Sequence, residues 1–129
     1  MTSYTFKIFA TGLPKTDKGL EGGSCDPYFK LYVNDGNDKV YTSEKISNSR
    51  DPTWNEFTLP ADTFGEHPKL HEIKMKIKDS DWGNDDDDVG KCYFKIHEHD
   101  RAYEQREGVD LMDGDEEAGK IYIAVTENE

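Results

Sequence analysis

The stretch 71-His-Glu-Ile-Lys-Met-Lys-Ile-Lys-Asp-Ser-Asp-Trp-Gly-Asn-Asp-Asp-Asp-Asp-Val-Gly-Lys-Cys-Tyr-Phe-Lys-Ile-His-97 carries the deciding pattern of this 129-residue chain. From His71 to Asp79, Ile73, Met75 and Ile77 alternate with Lys74, Lys76 and Lys78, which predicts a strand with one buried and one wet face. A second strand is predicted over Lys91 to His97. Between them lies a loop crowded with carboxylates, which the sequence closes at Gly90 just before the next strand.

Working outward, the same period of two recurs over Tyr4 to Ala10, Tyr28 to Asn34, Lys39 to Ile46, Thr53 to Leu59, Gly108 to Met112 and Gly119 to Thr126. Gly, Pro, Asn and Asp clusters separate these runs, and helical signals are confined to one turn allowed over His99 to Arg106. Eight short strands at fairly even spacing predict an all-β fold, an eight-stranded antiparallel β-sandwich formed as a single domain over residues 1–129. Trp54, within a strand, is expected in the core.

Composition narrows the function. There are 28 acidic against 16 basic residues, a formal net charge of −12, so phosphate attraction is no basis for nucleic-acid binding and none is expected. Hydrophobic residues are only 33% of the chain, but 12% are aromatic, which sets it apart from acidic disordered chains. Cys25 and Cys92 are too few and too distant for a disulfide-stapled scaffold, and free thiols are expected. The N-terminus lacks the basic-then-apolar pattern of a signal peptide, and no apolar run approaches the roughly 20 residues that span a bilayer. The expectation is a cytoplasmic protein whose membrane contact is peripheral.

The acidic residues are unevenly placed. Asp79, Asp81, Asp85, Asp86, Asp87 and Asp88 fall within ten residues, and a second acidic loop runs from Asp17 to Asp26. Two unit charges about 4 Å apart repel by roughly 4 kcal/mol at an effective dielectric of 20, so this crowding asks for a counter-ion. A solvated acidic connection is the plain alternative. Oxygen donors on flexible loops suit calcium, whereas zinc would call for His or Cys. An EF-hand fails on spacing, because counting from Asp79 puts Gly83 at position 5 and Gly90 at position 12, between strands and not helices. No nucleophile-and-base pattern and no phosphate-cradling glycine motif occurs, so an enzyme is not expected. The four histidines are read first as solvated surface groups, with weak metal binding by His97-x-His99 as the alternative.

Four segments in order resemble the C2 domain, the calcium-dependent phospholipid-binding sandwich. These are Tyr4 to Pro14, Ser24-Cys25-Asp26-Pro27-Tyr28-Phe29-Lys30, Asp51-Pro52-Thr53-Trp54-Asn55-Glu56-Phe57, and Lys76 to Asp81 followed by Asp87-Asp88-Val89-Gly90. The chain begins with the strand that enters the family's first calcium loop. It ends with Gly119 to Val125, which looks like the strand that opens synaptotagmin-like members. The resemblance therefore implies the circularly permuted, type II topology of phospholipase-type members.

That resemblance implies Ca2+, two or three ions, held by carboxylates of Asp17, Asp26, Asp79, Asp81 and Asp87 with main-chain carbonyls of Ser80 and Asp85. Asn84 stands where some members place a further ligand. In the first loop Asp17 is favoured because it follows the Leu-Pro strand end at the family's distance, and Glu21 is the rival. Trp82 at the third loop's tip and Leu20 in the first would contact the membrane; folding of Trp82 against its own loop is the alternative. Lys74, Lys76 and Lys78, with Lys30 and Lys45, read first as a solvated strand face and second as a basic headgroup patch. The implied function is calcium-dependent binding of an anionic phospholipid membrane, as a targeting or trafficking and signalling module. The competing readings are a calcium-regulated protein-interaction adaptor with a protein partner, and the targeting subunit of a larger lipid-modifying assembly.

Overall fold

The computed structural model describes residues 1–14, 25–80, 86–99 and 108–129. Eight strands run in the order β1 (Ser3–Thr11), β2 (Pro27–Val33), β3 (Asp38–Thr42), β4 (Phe57–Pro60), β5 (Glu72–Asp79), β6 (Asp87–Lys95), β7 (Val109–Asp113) and β8 (Glu116–Asn128). All pairings are antiparallel, in the spatial order β3-β2-β5-β6-β7-β8-β1-β4. β6 and β7 meet through the single pair Lys91↔Met112, so the sheet folds there into two four-stranded layers. The predicted antiparallel β-sandwich is therefore present, and β8 lies beside β1 from Ser3↔Asn128 to Thr11↔Lys120 as the permuted order requires.

Alternation works as the sequence implied. Ile73, Met75 and Ile77 are wholly buried while Lys74, Lys76 and Lys78 stay partly exposed. The aromatic surplus fills the space between the layers. Phe57 stacks on Phe6 at 5.0 Å and on Tyr41 at 3.8 Å between ring centroids, bridging the free edges of the two layers. Trp54 is buried, edge-on to Phe29 at 4.9 Å, with its indole N–H donating to the Pro27 carbonyl. Both cysteines are buried and neither is in a disulfide, and burial pushes the Cys92 thiol up to about 12.

Where strand bounds depart from the alternating pattern, side chains have replaced ladder bonds. β3 ends at Thr42, short of Ile46, because the Ser43 hydroxyl accepts the Phe29 N–H at 2.8 Å in place of a backbone carbonyl. β4 begins only at Phe57; before it, Asn55 N–H donates to the Glu44 carboxylate and Trp54 turns inward. β6 starts four residues before Lys91, at Asp87, so the acidic loop closes earlier than Gly90. The pairs Ile77↔Gly90 and Lys78↔Asp88 leave Val89 as the extra residue of a bulge. Beyond Lys95 the chain forms a 3-10 turn over Ile96–His99. His99 is buried edge-on to Phe94, so it is not the solvated histidine expected, and the turn proposed from His99 onward otherwise lies outside the described residues.

One glycine is demanded by packing. In β8, Gly119 has φ +113 and passes so close to β1 that a Cβ would lie 2.6 Å from the Thr11 carbonyl oxygen. Strain and clash act together there. Gly119→Ala is expected to lower the unfolding free energy by about 2 kcal/mol. Urea denaturation at fixed pH measures this, and an unchanged midpoint contradicts it.

Candidate metal and headgroup site

The pole of the sandwich where β1 ends, β2 begins, β5 ends and β6 begins gathers the described acidic residues of interest. Pro27 pairs with Asp79 on one side of β5, and Asp87 pairs with Asp79 on the other. Asp26, Asp79 and Asp87 thus sit at three adjacent strand ends. Asp79 is fully buried, and its Oδ1 accepts the Asp26 N–H at 2.8 Å. Ser80 N–H in turn donates to the Asp26 carbonyl at 3.1 Å. A buried carboxylate needs such donors, because its charge is otherwise costly to desolvate.

The bulge at Val89 decides which carboxylate of β6 joins them. Cys92 and Phe94 face the core, and uninterrupted alternation from them would turn Asp88 inward. The extra residue reverses that parity. Asp88 instead lies exposed on the outer face, with Lys78 Nζ at 3.5 Å, and Asp87 takes the register position beside Asp79. One residue earlier, Asp86 accepts a hydrogen bond from the Tyr28 hydroxyl. Burial, reinforced by this hydrogen bond to Asp86, pushes the Tyr28 phenol up to about 12.

The segment from Ile46 to Trp54 braces these strand ends. Asn48, at φ +55, donates its N–H to Asp26 Oδ1 at 2.6 Å, and Ser49 N–H donates to the Cys25 carbonyl. Asp51 accepts the Gly12 N–H at 2.8 Å, and the Arg50 guanidinium donates to the Leu13 carbonyl. The Asp-Pro-Thr-Trp motif therefore ties the end of β1 to the start of β2.

Of the residues singled out from sequence, Asp26, Asp79, Ser80 and Asp87 are brought together, whereas Asp17, Leu20, Glu21, Asp81, Trp82, Asn84 and Asp85 lie outside the described residues. Among the described residues no three His, Cys, Asp or Glu side chains form a group able to hold a metal ion. The oxygen-only chemistry of Asp26, Asp79 and Asp87 fits a hard cation but needs further donors to complete its shell. Asp86, Tyr28 and Lys91 were missed from sequence. Only Lys91 had a readable signal, its exposed position in an alternating strand.

The outer face of the same layer is basic and aromatic. Register sets Lys76 between Lys30 and Lys91, and Lys74 between Tyr32 and Tyr93. Lys76 Nζ lies 5.8 Å from the Tyr32 ring centroid, and Lys30 Nζ lies 5.9 Å from that of Tyr28, distances suited to cation–π attraction. Lys74, Lys76 and Lys91 line a groove of about 270 Å³ with Asp88 and Met112. Lys45 follows β3 and lies outside this strand face.

A family model described as the C2 domain matches residues 5–111. No curated protein sequence matches the chain. Among solved structures, a C2 domain of plant Extended Synaptotagmin 1 is similar at 17% identity, with 98% of this chain and 93% of that one covered and a TM-score of 0.72. BON1-C2B gives 16% identity, 99% and 92% coverage and a TM-score of 0.76. Human GIVD cytosolic phospholipase A2 gives 18% identity and a TM-score of 0.61, covering 99% of this chain and 16% of that one. At these identities the structural likeness is one of fold. Among the described residues no helix is long and apolar enough to cross a membrane.

The buried Asp79 acceptor yields a stability test. Asp79→Ala leaves the Asp26 N–H without that acceptor and is expected to cost about 1–3 kcal/mol, whereas Asp79→Asn keeps an oxygen there and should cost clearly less. Parallel thermal melts without added metal compare the two, and equal losses would contradict the hydrogen-bond account.

Proposed function

The chain belongs to the C2 domain family, and from that premise we propose that it binds anionic phospholipid membranes in a calcium-dependent manner, as a targeting module and not as an enzyme. The observation that carries this reading is the placement of Asp26, Asp79 and Asp87 at three adjacent strand ends, on the layer whose outer face bears Lys30, Lys74, Lys76 and Lys91. The carboxylates of Asp17 and Asp81, with the main-chain carbonyls of Ser80 and Asp85, are proposed to complete the ion shell. Trp82 and Leu20 are proposed to enter the headgroup layer, and Lys74, Lys76 and Lys78 to attract anionic headgroups.

Empty, the acidic pole repels an anionic surface. Calcium supplies hard positive charge with coordination positions that lipid phosphate oxygens can fill. Two ions would move the formal charge from −12 to −8, all at one pole. The strand ends that hold Asp26, Asp79 and Asp87 are already fixed by hydrogen bonds and register, so the response is electrostatic and requires little rearrangement.

Sedimentation with phosphatidylserine and with phosphatidylcholine vesicles, with and without calcium, tests the reading. Binding is expected only to phosphatidylserine in calcium, and Asp81→Asn and Asp87→Asn should each weaken calcium uptake in calorimetric titration. Absent lipid binding at millimolar calcium, together with a calcium-raised melting temperature, would reject the membrane reading in favour of a calcium-regulated protein adaptor.

The lysine face has a separate test. Lys74→Ala and Lys76→Ala should each reduce vesicle affinity by about fivefold, the effect of roughly 1 kcal/mol per basic residue near an anionic surface. Calcium affinity should be unchanged in both. Vesicle binding equal to that of the wild-type chain would return these lysines to an ordinary solvated face.

A further inference from the structure

We propose that Tyr28 is a positioning residue for the acidic pole, holding Asp86 on the outer face so that the neighbouring Asp87 carboxylate is presented on the Asp79 face. This rests on the reading that Asp87 and Asp79 serve calcium, and adds a residue that touches no ion.

The argument is one of parity along a strand. Inward residues of β2 are Pro27, Phe29, Leu31 and Val33, which puts Tyr28 on the outer face, and its register partner Lys78 is on the outer face of β5. Tyr28 donates its hydroxyl to Asp86, and Lys78 pairs with Asp88 at 3.5 Å. Asp87 stands between these two anchored carboxylates. Successive side chains of an extended chain point to opposite faces, so fixing Asp86 and Asp88 outward turns Asp87 the other way, to the register position opposite Asp79.

Both anchors are needed because the consecutive aspartates of the run Asp85 to Asp88, four in sequence, repel one another and resemble one another. A chain reading Asp86-Asp87-Asp88 could slip by one residue and still offer a carboxylate to the pole, with the wrong one facing in. The bulge at Val89 sets the parity from the strand side. Tyr28 sets it from the loop side, across a separation of 58 residues in sequence.

The test uses the full chain with calcium, and with terbium as a luminescent stand-in. Tyr28→Phe is expected to lower calcium affinity about tenfold, the scale of one hydrogen bond to a charged group. The double variant with Asp86→Asn should bind no more weakly than Asp86→Asn alone. Luminescence lifetimes in light and heavy water should show about one additional water on terbium in Tyr28→Phe, as expected when one of the ion's six to eight oxygen ligands detaches. A stabilising role alone would lower the calcium-free melting temperature and leave that hydration unchanged. Wild-type calcium affinity in Tyr28→Phe, unchanged terbium hydration, or losses that multiply in the double variant would each overturn the inference while calcium binding itself stands. A wild-type chain that takes up neither ion would overturn the proposed function and this inference with it.

Discussion

The buried carboxylate of Asp79 accepts the backbone N–H of Asp26 at 2.8 Å, and the relative position of three strand ends follows from that bond. Removing a carboxylate from water is costly unless donors replace the lost solvent, so burial and hydrogen bonding here come as a pair. The bond fixes where β2 starts relative to where β5 stops, and the Asp79↔Asp87 register then fixes where β6 starts. Asp26 is also held from the far side by the Asn48 N–H, so its backbone and side chain are both constrained. An acidic pole that must tolerate like charges is thus built on rigid strand termini, and only the intervening connections carry the remaining carboxylates.

The two faces of the β2–β5–β6 layer divide the work. Its inner face supplies the dry contacts, Phe29, Met75, Ile77 and Phe94, that hold the layer against β1 and β8. Its outer face sets Lys30, Lys76 and Lys91 side by side across three strands, next to a row in which Lys74 lies between Tyr32 and Tyr93, and Lys30 and Lys76 each lie near an aromatic ring. Tyr28 belongs to this outer face by register and to the acidic pole by its hydrogen bond, and so joins the two charged regions through one side chain. Coupling between the regions would be reciprocal, since whatever one ligand does to the affinity of the other must hold in reverse.

Much of the fold was legible because Ile73-Lys-Met75-Lys-Ile77 and Tyr4-Thr-Phe6-Lys-Ile8 alternate without interruption. Strand bounds were less legible wherever a side chain substitutes for backbone, as Ser43 does for the β2–β3 ladder. The start of β6 was hidden because consecutive aspartates have poor strand propensity and read as loop, yet pairing with β5 overrides that preference at Asp87 and Asp88. Asp26, Asp79 and Asp87 were singled out through the resemblance of their motifs to those of the C2 family, and the structure sets them at adjacent strand ends. Asp86 could not, because its partner Tyr28 is distant in sequence and nothing local distinguishes Asp86 from its neighbours. His99 was misjudged because a polar neighbourhood in sequence says nothing of Phe94, against which the ring packs.

The pairing of Ser3 with Asn128 has a consequence for how this sheet could be wired. The two outermost residues of β1 and β8 are direct ladder partners, joined further by the Asn128 amide donating to Ser3 and Thr5 hydroxyls, at the pole opposite the acidic one. Polypeptide attached at either place therefore departs on the side remote from Asp26, Asp79 and Asp87. Because directly opposed residues in an antiparallel ladder are only about 4.5–5.5 Å apart, a short bridge could splice the two ends and a new opening could be cut in any exposed turn. Every strand would keep its neighbours under that rewiring, so the architecture is indifferent to where along the closed path the chain is first read.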